Sequence, residues 1–353
     1  MTTPAPPPPW PPRPRVRRPP WAKLSDEQLL DLRLCDLGLT LEDSGLAPHV
    51  RQLNDELAAR KIAFRPHVWL SSEWFTPDRV PGIAVPFYLA HPRLIELERN
   101  QMLEVEGGTR DWFLRILRHE AGHAIDNAYR LNRRATYTKL FGNYRDPYPE
   151  SYRPKPYSRD FVVHLDMWYA QSHPAEDFAE TFAVWLNPAS HWRRQYKDWP
   201  ALAKLRYVDQ LMLGVCRNPP PVRSRRQPHP LRELKTTLRE HYDQKRTYYN
   251  RSRPRFYERD LRRIFSDAPQ FARKPAAAAF LESIRADARA MISRWTGESQ
   301  FTIDRTLTDM ILAVRRLRLR LAKPPAEARA DVMMMLAVQT MNYLNDGKHR
   351  VVL

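Results

Sequence analysis

Residues 118–126 read Arg118-His119-Glu120-Ala121-Gly122-His123-Ala124-Ile125-Asp126, a spacing that makes chemical sense only on an α-helix. Positions i and i+4 of a helix project side by side, so His119 and His123 can put two imidazole nitrogens on one ion. Glu120, one residue on, is turned about 100° around the axis. That sets its carboxylate beside such an ion, where it can take a proton from water without binding the metal. The flanking residues agree with a helix. Thr109 to about Leu131 contains no proline and only Gly122, and carries Trp112, Phe113, Ile116 and Leu117. An accidental HExxH in a chain this long is expected on the order of once in a hundred.

Catalytic zinc sites use three protein ligands and leave a fourth position open, so a third ligand has to be found. A metzincin continuation would place glycine three residues and histidine six residues after His123. The chain has Asp126 and Tyr129 there, which excludes it. Asp126 suits the role of acceptor for a His N–H better than that of ligand. A second helix is predicted at His173-Pro-Ala-Glu176-Asp-Phe178-Ala-Glu180-Thr-Phe182-Ala-Val-Trp185-Leu186. Pro174 fits its first position, and Phe178, Phe182 and Trp185 make an apolar stripe. Glu176 and Glu180 share a face on the apolar-rich side, where carboxylates are costly unless paired or bound to metal. This assigns Glu176 as third ligand and Glu180 as the group orienting a ligating His. The plain alternative is an amphipathic helix with its acids in water, as the helix dipole alone favours acids in a first turn.

HExxH followed by such a glutamate helix resembles the gluzincins. The segment from Tyr169 to Ala183 is similar to the second motif of a bacterial family of zinc-binding metallopeptidases. Glu176-Asp-Phe-Ala-Glu180 is also similar to the glutamate helix of anthrax lethal factor. The resemblance covers about residues 60–215, and it is specific in the two motifs and weak elsewhere. It implies Zn2+ on His119, His123 and Glu176, with a zinc-activated water, Glu120 as general base, and a peptide or protein as substrate. A further donor for the oxyanion is expected. Lethal factor-like sites use a tyrosine, so Tyr169 leads His164 and His173 as candidates.

The fold expected is α+β: a zincin-like catalytic domain of small mixed sheet, active-site helix and glutamate helix, with a mainly α-helical C-terminal region. Residues 25–60 read as helical, with Ser25 as N-cap. Strands are predicted at 62–70 and 82–90, with Pro86 favouring an edge that could receive an extended peptide. The stretch 133–161, with Tyr144, Tyr148, Tyr152, Pro154, Pro156 and Tyr157, is either a wall of a substrate cleft or an irregular surface loop.

Charge divides the chain. Lys plus Arg is 58 and Asp plus Glu 40, a net of +18. Residues 1–20 hold four Arg and no acid, residues 21–220 hold 26 of each sign, and residues 221–353 hold 28 basic and 14 acidic side chains. The domains expected are a disordered Pro/Arg-rich tail at 1–22, the metallopeptidase domain at 23–217, a Pro-rich linker at 218–230 and a basic helical domain at 231–353. Helices are predicted at 255–265 and 280–295, along the stripe Met310 to Leu321, and at 333–344, with Met333-Met-Met335 filling core. The basic helices suit nucleic acid, an anionic membrane or an acidic partner, against the plainer reading of a solvated Arg-rich face. With 10 glycines the chain does not read as a glycine-rich nucleotide-loop protein. Two cysteines, no apolar leader and no transmembrane run point to the cytoplasm. The competing function is a nucleic-acid- or partner-binding protein with a structural or idle zinc site. A further one is a zinc hydrolase of non-protein amides. Intact Glu120 favours catalysis over a structural site.

Overall fold

The computed structural model describes Trp10 and residues 19–149, 152, 155, 158–215, 218–250 and 258–345. Most of the tail, together with Pro154, Pro156, Tyr157 and the first residues of the predicted 255–265 helix, lies outside these. The described chain is mostly helical, with two small two-stranded sheets. It divides into two compact units, the main boundary falling at Asp243 within a helix, and the short segment Met102–Glu104 grouping with the second. The Pro-rich segment 218–230 therefore lies inside the first unit.

The first unit begins with α1 (Asp26–Leu30) and α2 (Ala47–Ala59). Ser25 and Gln28 cap α1 reciprocally, side chain to backbone, as the Ser-Asp-Glu-Gln run predicts. Strand β1 (His67–Ser71) pairs in parallel with β2 (Gly82–Pro86), Trp69 opposite Ala84. Phe75 then bridges Ala84 antiparallel, its carbonyl accepting the Ala84 N–H at 2.9 Å. Every residue of β2 is buried. The strand expected at an exposed edge is thus flanked on both sides, and Pro86, lacking an N–H, sits where pairing ends.

Helices α3 (Pro92–Met102), α4 (Arg110–Tyr129) and α5 (Ala135–Phe141) follow, then α6 (Pro174–Leu186), α7 (Trp192–Gln195), α8 (Ala201–Val215) and α9 (Leu238–Asn250). Thr109 caps α4 by accepting the Trp112 N–H, and Arg130 ends it in the left-handed region at φ 55°. His173 caps α6 and Pro174 opens it. From Ala175 to Leu186 every α6 residue is buried, as for a helix apolar on all sides.

Trp10 and the Pro-rich segment 218–230 both make contacts in this unit. The Trp10 indole donates to the Gly108 carbonyl at 2.6 Å and packs against His49 and Phe113. Trp21, within the expected tail, is buried and donates to Leu37 O. Between residues 218 and 230 the chain runs along β1: His67 Nε2 meets Arg226 O, Trp69 Nε1 donates to Pro228 O, and Ser71 Oγ donates to His229 O. Proline removes backbone donors but not acceptors, so the carbonyls of an extended segment are free to take side-chain donors.

The second unit contains α10 (Glu258–Ile264), β3 (Phe265–Ser266), α11 (Ala277–Thr296), α12 (Gln300–Arg316), β4 (Arg320–Leu321) and α13 (Pro325–Asn345). Its core is apolar, with Leu281, Ala288, Leu307, Met310, Val332 and Leu336 buried. Arg285 and Arg289 on α11 both reach Asp304 on α12. The stripe from Met310 does not continue as helix to Leu321. The helix ends at Arg316, Arg318 turns left-handed at φ 55°, and Leu321 joins β4 against Phe265. Of the three consecutive methionines, Met334 is exposed while Met333 and Met335 pack on the core. A run on one helix spreads over 100° per residue and cannot all face inward.

Candidate metal centre

Helices α4 and α6 pack directly on each other at Gly122. A Cβ built there would stand 2.8 Å from the Ala179 Cα, so glycine permits an approach that any other residue would prevent. His119 and His123 project from α4 toward Glu176 of α6. His119 Nε2 lies 3.0 Å from Glu176 Oε2, and His123 Nε2 lies 3.1 Å from the same oxygen. The two Nε2 atoms are 3.1 Å apart. Among the described residues these three form a group whose ligand atoms can meet one ion.

His119 is held from behind. His119 Nδ1 donates to Glu180 Oε1 at 2.8 Å, and the other Glu180 oxygen accepts the Leu165 N–H at 2.8 Å. With its proton on Nδ1, a neutral His119 points the Nε2 lone pair at a carboxylate oxygen. Three lone-pair atoms converging in a buried space repel unless a proton or a cation lies among them. Burial opposes charging of His119, yet Glu176 and Glu180 outweigh it and raise its pKa well above that of an ordinary imidazole. His123 is raised against its burial by Glu176. Burial also works against ionisation of Glu176, but His123 and His119 hold it well below the usual carboxylate range. The cluster therefore demands positive charge. A tetrahedral zinc with bonds of about 2.0–2.1 Å separates its ligand atoms by about 3.3 Å. The donors stand within a few tenths of an ångström of that triangle, so the residues fit the ion.

All three acids of α6 are buried, against the alternative in which they face water. Glu176 meets the two histidines, Glu180 meets His119, and Asp177 accepts from Lys204 Nζ at 2.6 Å. Burial pushes the Asp177 carboxyl up to about 7 despite that lysine.

Glu120 is buried beside this group, and its Oε2 accepts the Thr76 hydroxyl at 2.8 Å. The segment carrying Thr76 is pinned along α4, where Asn127 donates to Pro77 O and accepts the Arg79 N–H. Asp126 lies a turn beyond His123 and its carboxylate accepts the Asn132 N–H at 2.8 Å. Its burial raises the pKa to about 6. The Tyr169 ring stands 5.5 Å from that of His119, centroid to centroid. His173 uses one ring nitrogen to accept the Ala175 N–H and the other to donate to Asp146 O. His164 spends its Nε2 on Arg115 O.

Three features escape sequence reasoning. Thr76 carries no signal at all. Gly122 is legible only as a helix glycine, with nothing to name its partner. Tyr148 lies in the aromatic stretch at 133–161, but its target is not readable there. Its hydroxyl donates to Glu176 Oε1 at 2.8 Å. Desolvation of the hydroxyl and the neighbouring Glu176 raise its pKa, which keeps the phenol protonated and able to donate.

Two histidines of one helix and a glutamate of a second thus converge on a point that could hold a metal ion. Residues 95–193, which contain both helices, match the family described as "Putative zinc-binding metallo-peptidase". No curated protein and no solved structure matches the chain. Among the described residues, no helix is long and apolar enough to cross a membrane.

Proposed function

We propose that this chain is a zinc-dependent metallopeptidase of gluzincin type, built on a zincin-like domain and hydrolysing peptide bonds of a peptide or protein substrate. The observation that carries the reading is the convergence of His119 Nε2, His123 Nε2 and Glu176 Oε2 within 3.0–3.1 Å of one another. Zinc there would supply Lewis-acid polarisation of a carbonyl and would lower the pKa of water toward about 7. Glu120 acts as general base. Thr76 occupies its Oε2, leaving Oε1 to receive the proton of attacking water and pass it to the departing amine. Glu180 fixes the tautomer of His119. Tyr169, whose ring stands 5.5 Å from that of His119, is the candidate donor to the developing oxyanion. Asp126 buttresses the C-terminal turn of α4 through the Asn132 N–H.

The test is metal analysis of purified protein alongside Glu120→Gln and Glu176→Ala, with cleavage of a peptide library. The wild type is expected to carry about one zinc per chain, as three ligands and one open position imply. Glu120→Gln keeps the metal, Glu176→Ala weakens its binding, and both lose cleavage. Wild-type protein without stoichiometric metal overturns the reading. Zinc without chelator-sensitive cleavage overturns the peptidase assignment and leaves a metal-binding protein.

A further inference from the structure

A ligating carboxylate has two oxygens, and the number it offers decides how many positions the ion has left. If both bound, the site would lose the vacancy that a catalytic centre keeps. At Glu176 the two oxygens are sharply distinguished. Oε2 faces both His Nε2 atoms, while Oε1 accepts the Tyr148 hydroxyl at 2.8 Å.

Tyr148 is held for this task from two directions. Its ring stacks on His173, with centroids 3.9 Å apart and planes 16° from parallel. His173 in turn caps the helix that carries Glu176 and donates to Asp146 O, two residues before Tyr148. The loop and the first turn of α6 thus form a closed circuit. At the other end of the loop, Tyr144 donates to Asp78 Oδ1 at 2.8 Å, in the segment that also positions Thr76 against Glu120. Tyr148 is 49% exposed, a high figure for a tyrosine so engaged. Packing in a core does not explain its placement, whereas the stack and the hydrogen bond do.

We propose that Tyr148 is a positioning residue that ties up Glu176 Oε1, so that Glu176 offers the metal one oxygen and the vacant position stays open. The inference rests on the zinc reading above. Hydrogen bonds to ligating groups commonly change metal affinity by about 10–100-fold. Without the phenol, Glu176 Oε1 is left unpaired and the carboxylate is free to rotate toward two-oxygen binding.

The test uses the full chain with three proteins: wild type, Tyr148→Phe and Tyr148→Ala. Tyr148→Phe keeps the stack on His173 and removes only the donor. Two measurements apply: Zn2+ titration against a competing chelator, and the absorption spectrum of Co2+-loaded protein, whose band intensity reports coordination number. Tyr148→Phe is expected to weaken Zn2+ binding about 10-fold and to shift the Co2+ spectrum from four-coordinate toward five-coordinate. The melting temperature of its metal-free form should equal that of the wild type. Tyr148→Ala is expected to show the same spectral shift. Equal affinity and an unchanged Co2+ spectrum in Tyr148→Phe overturn this inference alone, with the metal site intact. A fall in metal-free melting temperature without a spectral change also overturns it, since that is a packing role. Failure of the wild type to bind Zn2+ overturns the zinc reading itself, and this inference with it.

Discussion

Gly122 of α4 lies against the backbone of Ala179 in α6, so close that a Cβ on the glycine would come within 2.8 Å of the Ala179 Cα. This contact sets the distance between the helix bearing the two histidines and the helix bearing the glutamate. Helix propensity alone would favour alanine at this position by about 1 kcal/mol. Forced separation of two packed helices costs about 1–3 kcal/mol, and the contact is with backbone, which yields least. Gly122→Ala is therefore expected to destabilise the metal-free protein by up to about 2 kcal/mol. It should also weaken Zn2+ binding, because Glu176 moves away from both histidines. Urea denaturation and chelator competition measure the two effects. A variant as stable as the wild type would show that the helices adjust freely.

Glu180 is expected to matter for metal affinity although it is not assigned as a ligand. It accepts from His119 Nδ1 and from the Leu165 N–H, and so directs the Nε2 lone pair of His119 toward Glu176. Glu180→Gln removes the charge and half of the acceptor capacity. Zn2+ affinity should fall by about 10–100-fold, read by competition titration. Unchanged affinity would mean that the tautomer is set by something other than this carboxylate.

Asp126 gives a pH dependence of definite sign. Burial raises its carboxyl from 3.8 to about 6, so between those values the folded protein holds a proton that the unfolded chain has released. Stability from this group is complete below about pH 4 and is lost as pH rises through about 6. A shift of about two units corresponds to at most about 3 kcal/mol. Asp126→Asn retains an oxygen for the Asn132 N–H and cannot ionise. In the presence of chelator, it should lack this pH dependence and equal or exceed wild-type stability at pH 7. Parallel stability curves for the two proteins between pH 4 and 7 would refute the expectation.

Arg118, next to His119 in α4, makes a buried two-pronged ion pair with Glu56 of α2, both contacts at 2.7 Å. Removing one partner strands the other charge. Glu56→Leu is thus expected to cost about 3–5 kcal/mol. Adding Arg118→Met should recover most of that loss, because a buried pair and an apolar pair of similar volume are often close in stability. Denaturant midpoints for the single and double variants decide it. A double variant no better than the single one would mean that the pair contributes specific stability beyond cancelling its own burial.

How much was legible depends on the range of the interaction. The α4 and α6 helices, their Thr109 and His173 ends and the Pro174 start follow from neighbours a few residues away. Helical spacing runs from 25 to 60 as one stretch, and the structure breaks it into α1, a short 3-10 turn and α2. Apolar spacing carries the stripe from Met310 past Arg316 because it does not register a left-handed residue such as Arg318. Proline content marked 218–230 as a linker, yet its carbonyls take donors from β1. Composition reports missing N–H groups and is blind to the acceptors that remain. Charge was informative only after it was divided, since the surplus lies outside the stretch holding the motif helices.

The sequence alone determined that His119 and His123 stand on one helix face with Glu120 beside them, because helix geometry fixes neighbours four residues apart. It also singled out Glu176 and Glu180, because acids on an apolar helix need a partner. Only the tertiary structure decided that these acids are buried, that one Glu176 oxygen faces both histidines while Tyr148 holds the other, and that Thr76 holds one oxygen of Glu120. These contacts join residues 28 to 61 positions apart. Their distances are set by how closely two helices pack, and that closeness depends on the absence of a single Cβ at Gly122.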